Sequence, residues 1–318
     1  MYSPNHFEPV KLDSITRTFL TITSFILNLG VLANAILLYI FFRNYHSSTT
    51  IYEKCIGFLI LAELFWALPY AIENPYMLIK GESFGFEQCQ WNGPILPIVS
   101  GMTIFAHGIL AIDRYFTIIL QIVMKPKHFL MICSIYVPAF CFLTFSPLFI
   151  GTGYALNDHH YCYYNFKSRN VADLVIIGVM FVTFYSLFGI IVYCYANIYR
   201  VISTGQKLSD VKKDSTRDRL NKKIFFTCIT VVGCFAGCYT PIMTIYSLQT
   251  LFNYDFPSII NYISTTLGIS DTCFTPICLF LLIPSYQQGF RKHIYDYRHV
   301  HLSSNIQKPT VKTIEQST

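Results

Sequence analysis

Seven long apolar segments constrain the fold of this chain more than any other feature of its sequence. They cover residues 19–42, 55–78, 89–120, 128–150, 171–199, 224–251 and 257–283. A helix needs about 20 apolar residues to cross the hydrocarbon core of a bilayer, and every segment reaches that length. The sequence therefore predicts an all-α membrane protein built as a seven-transmembrane-helix bundle.

The composition argues against a soluble domain. Only 13% of the residues are charged and 53% are hydrophobic, whereas soluble domains carry about 25% charged residues. So few charges leave too little polar surface to keep a chain of this size in water, which disfavours a soluble core of buried helices. The scattered polar residues inside the segments also do not suggest an enzyme.

Basic residues predict the orientation. With the N-terminus placed outside, 18 of the 23 Lys and Arg residues fall on the inner side of the membrane. This bias is typical of cytoplasmic segments, so we expect an extracellular N-terminus and a cytoplasmic C-terminus in a multi-pass plasma-membrane protein. The net charge of +6 then reflects topology and the anionic inner leaflet, and does not indicate nucleic-acid binding.

The segments predict one membrane domain without a separate soluble domain. We expect a short extracellular N-terminus (1–17), a transmembrane domain (18–284), an amphipathic cytoplasmic helix (285–299) and a disordered cytoplasmic tail (300–318). The ends of the basic loop 200–223 are expected to extend the fifth and sixth helices into the cytoplasm, where a partner can meet them.

Two of the eleven cysteines differ from the others, most of which lie within apolar segments. Cys89 opens the third segment at its outer end, and Cys162 lies in the following outer loop. Because the outer side is oxidising, we predict a disulfide that ties this loop over the mouth of the bundle. The neighbouring pair His159-His160 has no Cys or carboxylate at ligand spacing, so we predict solvated histidines and no metal site there.

An Asp113-Arg114-Tyr115 triplet interrupts the third apolar segment. Arg114 follows Cys89 by 25 residues, which is about 37 Å of helix and therefore the full width of the bilayer. A charge pair at the cytoplasmic end is partly hydrated, so its cost is bearable. Arg114 can pair with Asp113 in one packing of the bundle and face an inserted partner in another, which makes it a candidate switch.

These features resemble the rhodopsin-like (class A) G-protein-coupled receptors over about residues 18–297. Cys89 and Arg114 reproduce the family's spacing, and its helix-one Asn and helix-five Tyr fall on Asn34 and Tyr195. The family's helix-six motif Phe-x-x-Cys-Trp-x-Pro falls on Phe235, Cys238, Tyr239 and Pro241, with Tyr replacing Trp. Its helix-seven motif falls on Thr275, Pro276, Leu279 and Tyr286, which keeps Pro but lacks Asn and the motif's Tyr.

The resemblance implies a receptor that couples an extracellular ligand to a heterotrimeric G protein. Ligand binding near the outer face would favour outward movement of helix six, with a pivot near Pro241. That movement would open an inner cleft around Arg114, Tyr195, Lys222 and Lys223. Leu279 in place of the motif's Tyr, and Asn221 where many members have a latching Glu, imply a weaker inactive state and some basal activity.

Two acids would lie in the family's polar core, which often holds a sodium ion. Glu63 replaces the usual helix-two Asp, and Asp271 precedes Thr275 by one turn; Asn34 and Thr103 complete the resemblance. Either the two acids share a cation or a proton, or each bonds to neighbouring helices. Sodium is the candidate ion, and no other cofactor is expected. His107 is expected to be a packed, neutral core histidine.

The resemblance also suggests the walls of a ligand pocket. They would include Asn92, Leu96, Ser100, Tyr239, Met243, Tyr246, Asn261 and Thr265. Leu96 stands where amine receptors carry Asp, and Ile269 where opsins carry the retinal-binding Lys; helix seven has no Lys, so no retinal Schiff base can form. The remaining apolar and aromatic set suits a small molecule or an anchored peptide, although ordinary helix packing explains the same residues.

Two further interpretations concern function. The lost helix-seven Asn and Tyr and the ending IPSYQQGFRKHI are similar to nematode serpentine chemoreceptors, which implies a chemosensory receptor. The alternative is a secondary transporter that uses Glu63 and Asp271. Such transporters usually contain inverted repeats, and none is visible in this sequence.

Overall fold

The computed structural model describes residues 8–44, 50–150, 154–156, 161–166, 168–203, 215–283 and 286–290. Helices dominate these residues. The elements are α1 (Ser14–Asn44), α2 (Ile51–Lys80), α3 (Phe86–Asn92), α4 (Ile95–Tyr115), a π-helical turn (Phe116–Leu120), α5 (Pro126–Ile150), β1 (Ala155–Leu156), β2 (Cys162–Tyr163), α6 (Val171–Ser203), α7 (Ser215–Phe252) and α8 (Ser258–Leu282).

Seven helical segments in the described residues are long and apolar enough to cross a membrane. They are Ser14–Arg43, Ile51–Lys80, Phe86–Leu120, Pro126–Phe149, Val171–Ile202, Phe225–Phe252 and Ser258–Leu282. The prediction of a seven-helix bundle is therefore confirmed. The extracellular position of the N-terminus stays a prediction from the basic residues.

The third membrane segment differs from the single helix that we predicted over 89–120. It begins at Phe86, and the helix is interrupted between α3 and α4, at Gly93 and Pro94. Pro94 cannot donate a backbone hydrogen bond, which weakens the helix at this point. The ring of Tyr154 packs so close to Gly93 that a Cβ there would lie 2.2 Å from its Cγ, so the absence of a side chain at Gly93 leaves room for the outer loop.

Local signals explain both ends of α2. At its start, the Thr50 side chain accepts from the Glu53 N–H, and the Glu53 carboxylate accepts from the Thr50 N–H. This capping box satisfies backbone donors that the first turn leaves free. At its end, Gly81 has a φ of +74° and its N–H donates to the Met77 carbonyl, which is the conformation that glycine adopts without strain.

The helices differ in how much of their surface is packed against other helices. Helix α1 contacts α2 and α8, α4 contacts α2 and α6, and α7 contacts α8. Helices α5 and α6 expose large apolar side chains, such as Phe142 at 73% and Val182 at 67%. Exposed apolar surface on this scale suits contact with lipid.

The outer loop covers one end of the bundle. Strands β1 and β2 pair antiparallel, with Leu156 opposite Cys162. The predicted disulfide between Cys89 and Cys162 is present, with Cα atoms 5.0 Å apart. The Gln90 amide donates to the Tyr154 carbonyl at 2.8 Å and accepts from the Tyr154 N–H at 2.9 Å. These bonds hold the loop against α3.

The predicted domain boundaries stay a prediction. Helix α1 begins at Ser14, inside the segment predicted as the extracellular N-terminus. Helices α6 and α7 extend to Ser203 and from Ser215, as expected for the ends of the basic loop. Of the predicted amphipathic helix 285–299, residues 286–290 are helical; the rest of it, and the tail 300–318, lie outside the described residues.

Candidate functional site

The inner end of the bundle holds a buried ion pair. The Arg114 guanidinium donates to the Asp113 carboxylate, with Nε 3.0 Å from Oδ2, and both side chains are buried. The guanidinium also lies over the Tyr52 ring of α2, 4.2 Å from its centroid. A cation over an aromatic face is attracted by the ring quadrupole. Tyr52 is therefore a contact of Arg114 that our sequence analysis missed.

The structure describes the other residues predicted for the inner switch to different extents. Tyr195 is buried, its ring lies 6.4 Å from that of Phe225, and its hydroxyl has no hydrogen-bond partner among the described residues. Tyr115 faces α6, with its ring 5.9 Å from that of Tyr193. The backbone of Lys222 and Lys223 belongs to α7, but their side chains, and that of Asn221, lie outside the described residues.

A cluster of ionisable side chains occupies the interior of the bundle. Glu63 of α2, His107 of α4 and Asp271 of α8 each offer an atom, and these three atoms lie within 4.8 Å of one another. All three residues are fully buried. His107 was predicted as an isolated packed histidine, and its place beside the two acids was missed. The spacing in the sequence could have indicated this place, because His107 follows Thr103, a predicted polar-core residue, by four residues and so lies on the same face of the helix.

The remaining residues predicted for the polar core differ in whether they bond to this cluster. Thr275 Oγ1 donates to Asp271 Oδ1 at 3.1 Å. Thr103 is fully buried one helical turn before His107. Asn34 instead joins α1 to α8, because its amide donates to the Gly30 carbonyl at 3.0 Å and to the Thr272 carbonyl at 2.9 Å.

Aromatic rings connect this cluster to the outer half of the bundle. The His107 ring lies 4.3 Å from the Phe235 ring, and Phe235 lies 4.7 Å from Tyr239. Phe235, Cys238 and Tyr239 are buried on α7, and Pro241 lies inside the same helix. Near the C-terminal end of α8, Pro276 is buried within the helix, and Tyr286 is buried just after the helix ends.

A cavity lies between the helices beneath the outer loop, and its space, together with the part that is open to solvent, amounts to about 550 Å³. It is lined by Trp66, Tyr70, Leu96, Ser100, Tyr161, Tyr163, Tyr239, Ile242, Met243, Tyr246, Thr265, Gly268 and Ile269. None of these lining residues is acidic or basic. A concave, largely apolar lining with a few hydroxyl groups suits a small organic molecule.

Six of the eight residues predicted for the pocket line this cavity. They are Leu96, Ser100, Tyr239, Met243, Tyr246 and Thr265. The other two are not among the lining residues: Asn92 ends α3, and Asn261 is buried in the first turn of α8. Trp66 and Tyr70 were not predicted for the pocket, and they reach the cavity because α2 lies against α4.

The outer loop supplies the roof of the cavity through Tyr161 and Tyr163. The Tyr161 ring lies 5.2 Å from that of Tyr70, and the Tyr163 ring lies 5.7 Å from that of Tyr246. Burial raises the pKa of Tyr163 well above its ordinary value, so its phenol stays neutral. The cavity therefore offers hydroxyl groups and ring faces but no charge.

The sequence is similar to those of known proteins. The sequence model of the 7 transmembrane receptor (rhodopsin family) matches residues 33–279. Melanopsin of Branchiostoma belcheri is 22% identical over 83% of this chain, which spans 40% of melanopsin. Bombesin receptor subtype-3 of Ovis aries is 24% identical over 85% of this chain and 73% of its own length. Chemerin-like receptor 2 of Homo sapiens is 24% identical over 90% and 82%.

The fold is also similar to a solved structure. Squid rhodopsin superposes with a TM-score of 0.75 at 17% identity, covering 90% of this chain and 87% of its own. At that identity the likeness concerns the fold, whereas the family match spans most of the sequence. Members of this family are receptors and not enzymes. The chain therefore belongs to the rhodopsin-like family of seven-transmembrane, G-protein-coupled receptors.

Proposed function

We propose that this protein is a chemosensory receptor of the plasma membrane that binds an uncharged, largely aromatic small molecule from the outside. Binding in the outer cavity would activate a heterotrimeric G protein at the inner end of the bundle. Family membership supports the signalling role, and the proposal adds the ligand class, the orientation and the sensory use.

The uncharged lining of the cavity carries the proposal. Of the thirteen lining residues, eleven are aromatic, aliphatic, Ser or Thr, and the other two are Met243 and Gly268. None of these side chains carries a charge at neutral pH. A charged ligand would lose its hydration there without gaining a partner charge, which is costly. A neutral aromatic ligand can instead stack on rings and use one or two hydroxyl groups.

The roof favours a small molecule over a peptide. Tyr161 and Tyr163 line the cavity, and the Cys89–Cys162 disulfide fixes the loop that carries them. The loop therefore takes up space that an anchored peptide would need. Retinal held as a Schiff base requires a lysine amine, and α8 has none, so the ligand that we propose is not a covalently bound retinal.

A row of rings offers a route from ligand to switch. Tyr239 lines the cavity and contacts Phe235, which contacts His107 two turns before Arg114. A ligand that displaces Tyr239 would bias α7 around Pro241. That movement would change the packing around Arg114 at the inner end.

The experiment compares nucleotide exchange on a panel of purified G proteins in the presence of matched compounds. Each neutral aromatic compound is tested beside its amine and its carboxylate analogue of similar size. We expect the neutral compounds to activate the intact chain and to lose that activity in Arg114→Ala at equal surface expression. Activation by the charged analogues alone would contradict the ligand class, and exchange unaffected by Arg114→Ala would contradict the coupling role.

The transporter alternative is less well supported. It rests on Glu63 and Asp271, and the family match favours a receptor instead. Ligand-driven flux across proteoliposomes without G-protein activation would be the result that restores it.

A further inference from the structure

We propose that Glu63, His107 and Asp271 bind a divalent transition-metal ion, for which zinc is the best fit, inside the helix bundle. The three residues belong to α2, α4 and α8, so a bound ion would join three helices at one point. This inference does not depend on the ligand or on the G protein.

The geometry brings three potential donor atoms close together. The three candidate ligand atoms lie within 4.8 Å of one another. Both ring nitrogens of His107 are buried without a hydrogen-bond partner in the described part of the chain, and there the Glu63 carboxylate has no partner other than Asp271. Unpaired buried polar atoms are costly, and so many in one place need an explanation. Ligands around tetrahedral zinc are spaced by about 3.3 Å, so small side-chain movements would complete the site.

Neighbouring residues supply the support that a metal site needs. Thr275 Oγ1 donates to Asp271 Oδ1 at 3.1 Å and so orients the carboxylate with Oδ2 free for a metal. Outer hydrogen bonds of this kind fix ligand orientation in metalloproteins. Thr103 Oγ1 is likewise buried without a described partner, one turn before His107, and can complete the ligand set or hold a water.

The donor set does not fit the sodium ion that the family resemblance implies. An alkali cation prefers oxygen ligands only, whereas an imidazole stands beside the two acids here. Imidazole nitrogen with carboxylate oxygen is a combination that zinc and similar ions prefer. The donors of this chain therefore favour a transition-metal ion over sodium.

Charge balance points the same way. Two ionised carboxylates would carry two negative charges in a buried setting, and a monovalent ion would neutralise only one of them. Arg114 is the one buried basic side chain in the described residues apart from histidine, and it pairs with Asp113. A divalent cation neutralises both acids, whereas without it one acid must hold a proton.

Metal binding to the intact, chelator-stripped receptor in detergent tests the proposal directly. Calorimetric titration with zinc chloride should give one tight site in the wild type. We expect His107→Leu to weaken this affinity more than about 100-fold, since it removes a ligand, and Thr275→Ala to weaken it by about tenfold through Asp271. His128→Leu, which removes an exposed histidine, is the matched control and should bind zinc as the wild type does.

Cobalt and sodium distinguish the remaining outcomes. Cobalt(II) should give the visible absorption bands of a four-coordinate ion, lost in His107→Leu and in Glu63→Gln. A His159→Gln/His160→Gln variant tests whether adjacent loop histidines bind the metal instead. Zinc affinity that is lost in that variant but kept in His107→Leu would overturn the proposal. Stabilisation by sodium that survives His107→Leu, with no zinc binding to the wild type, would also overturn it.

Discussion

The Tyr52 ring of α2 covers the guanidinium of Arg114, with 4.2 Å between its centroid and the guanidinium carbon. Arg114 is thereby held from two sides, by Asp113 on its own helix and by an aromatic ring on a neighbouring one. The second contact crosses between helices, so it depends on their packing and can be lost when the bundle opens.

We expect Tyr52→Ala to raise basal nucleotide exchange. A cation–π contact contributes about 0.5–2 kcal/mol, which corresponds to a shift of about 2- to 30-fold in the population of the paired state. Tyr52→Phe keeps the ring and should change basal exchange by less than about twofold. The measurement is ligand-free exchange at equal surface expression.

The inner latch can also be strengthened from α7. We expect Asn221→Glu to lower basal exchange, because the family resemblance implies a latching carboxylate at this position, where it would be a second anionic partner of Arg114. Asn221→Gln has nearly the same size without the charge and should leave exchange unchanged. Equal effects of the two substitutions would show that charge is not the cause.

Close approach of α4 and α5 gives a stability prediction. A Cβ at Gly101 would lie 2.0 Å from the Phe140 ring. That ring cannot move freely, because it stacks on Tyr136, which in turn stacks on Phe105 at 3.8 Å. Gly101→Ala should therefore cost about 1–3 kcal/mol by overpacking and lower the melting temperature in detergent.

Gly178→Ala is the control for that substitution. Beyond its chain neighbours and the adjacent backbone of α6, no described atom lies within 4 Å of a Cβ built at Gly178, so the added methyl group meets open space. We expect a melting temperature equal to or slightly above that of the wild type, since Ala favours a helix over Gly by about 1 kcal/mol. Equal losses in both variants would mean that helix packing at Gly101 is not the cause.

The features that could be predicted from the sequence depend on consecutive residues or on the predicted side of the membrane. The apolar segments gave the membrane helices because spanning length is a property of consecutive residues. The disulfide between Cys89 and Cys162 could be predicted because the predicted orientation placed both residues on the oxidising side of the membrane. The Asp113–Arg114 pair was predictable because the two residues are adjacent.

Contacts between helices were harder to predict, because they depend on how each helix is rotated about its own axis and on the angles at which the helices cross. Tyr52 contacts Arg114, and Trp66 reaches the cavity, only through the way α2 is turned towards α4. His107 joins Glu63 and Asp271 for the same reason. The pairing of β1 with β2 depends on two-residue strands, which are too short to leave a periodic pattern.

The last prediction concerns charge in the ligand cavity. Leu96 lines the cavity at the position where amine receptors carry Asp. We expect Leu96→Asp to lower the potency of a neutral aromatic agonist more than tenfold, because a buried carboxylate is costly to desolvate, and to increase the response to its amine analogue, because the new carboxylate supplies a partner charge. Leu96→Asn has nearly the same size and polarity without the charge, so the difference between the two variants isolates the electrostatic contribution. Concentration–response curves of nucleotide exchange, taken for both compounds at matched expression, measure this difference. Identical curves for the two variants would mean that the amine does not reach Leu96 and that the agonist binds elsewhere.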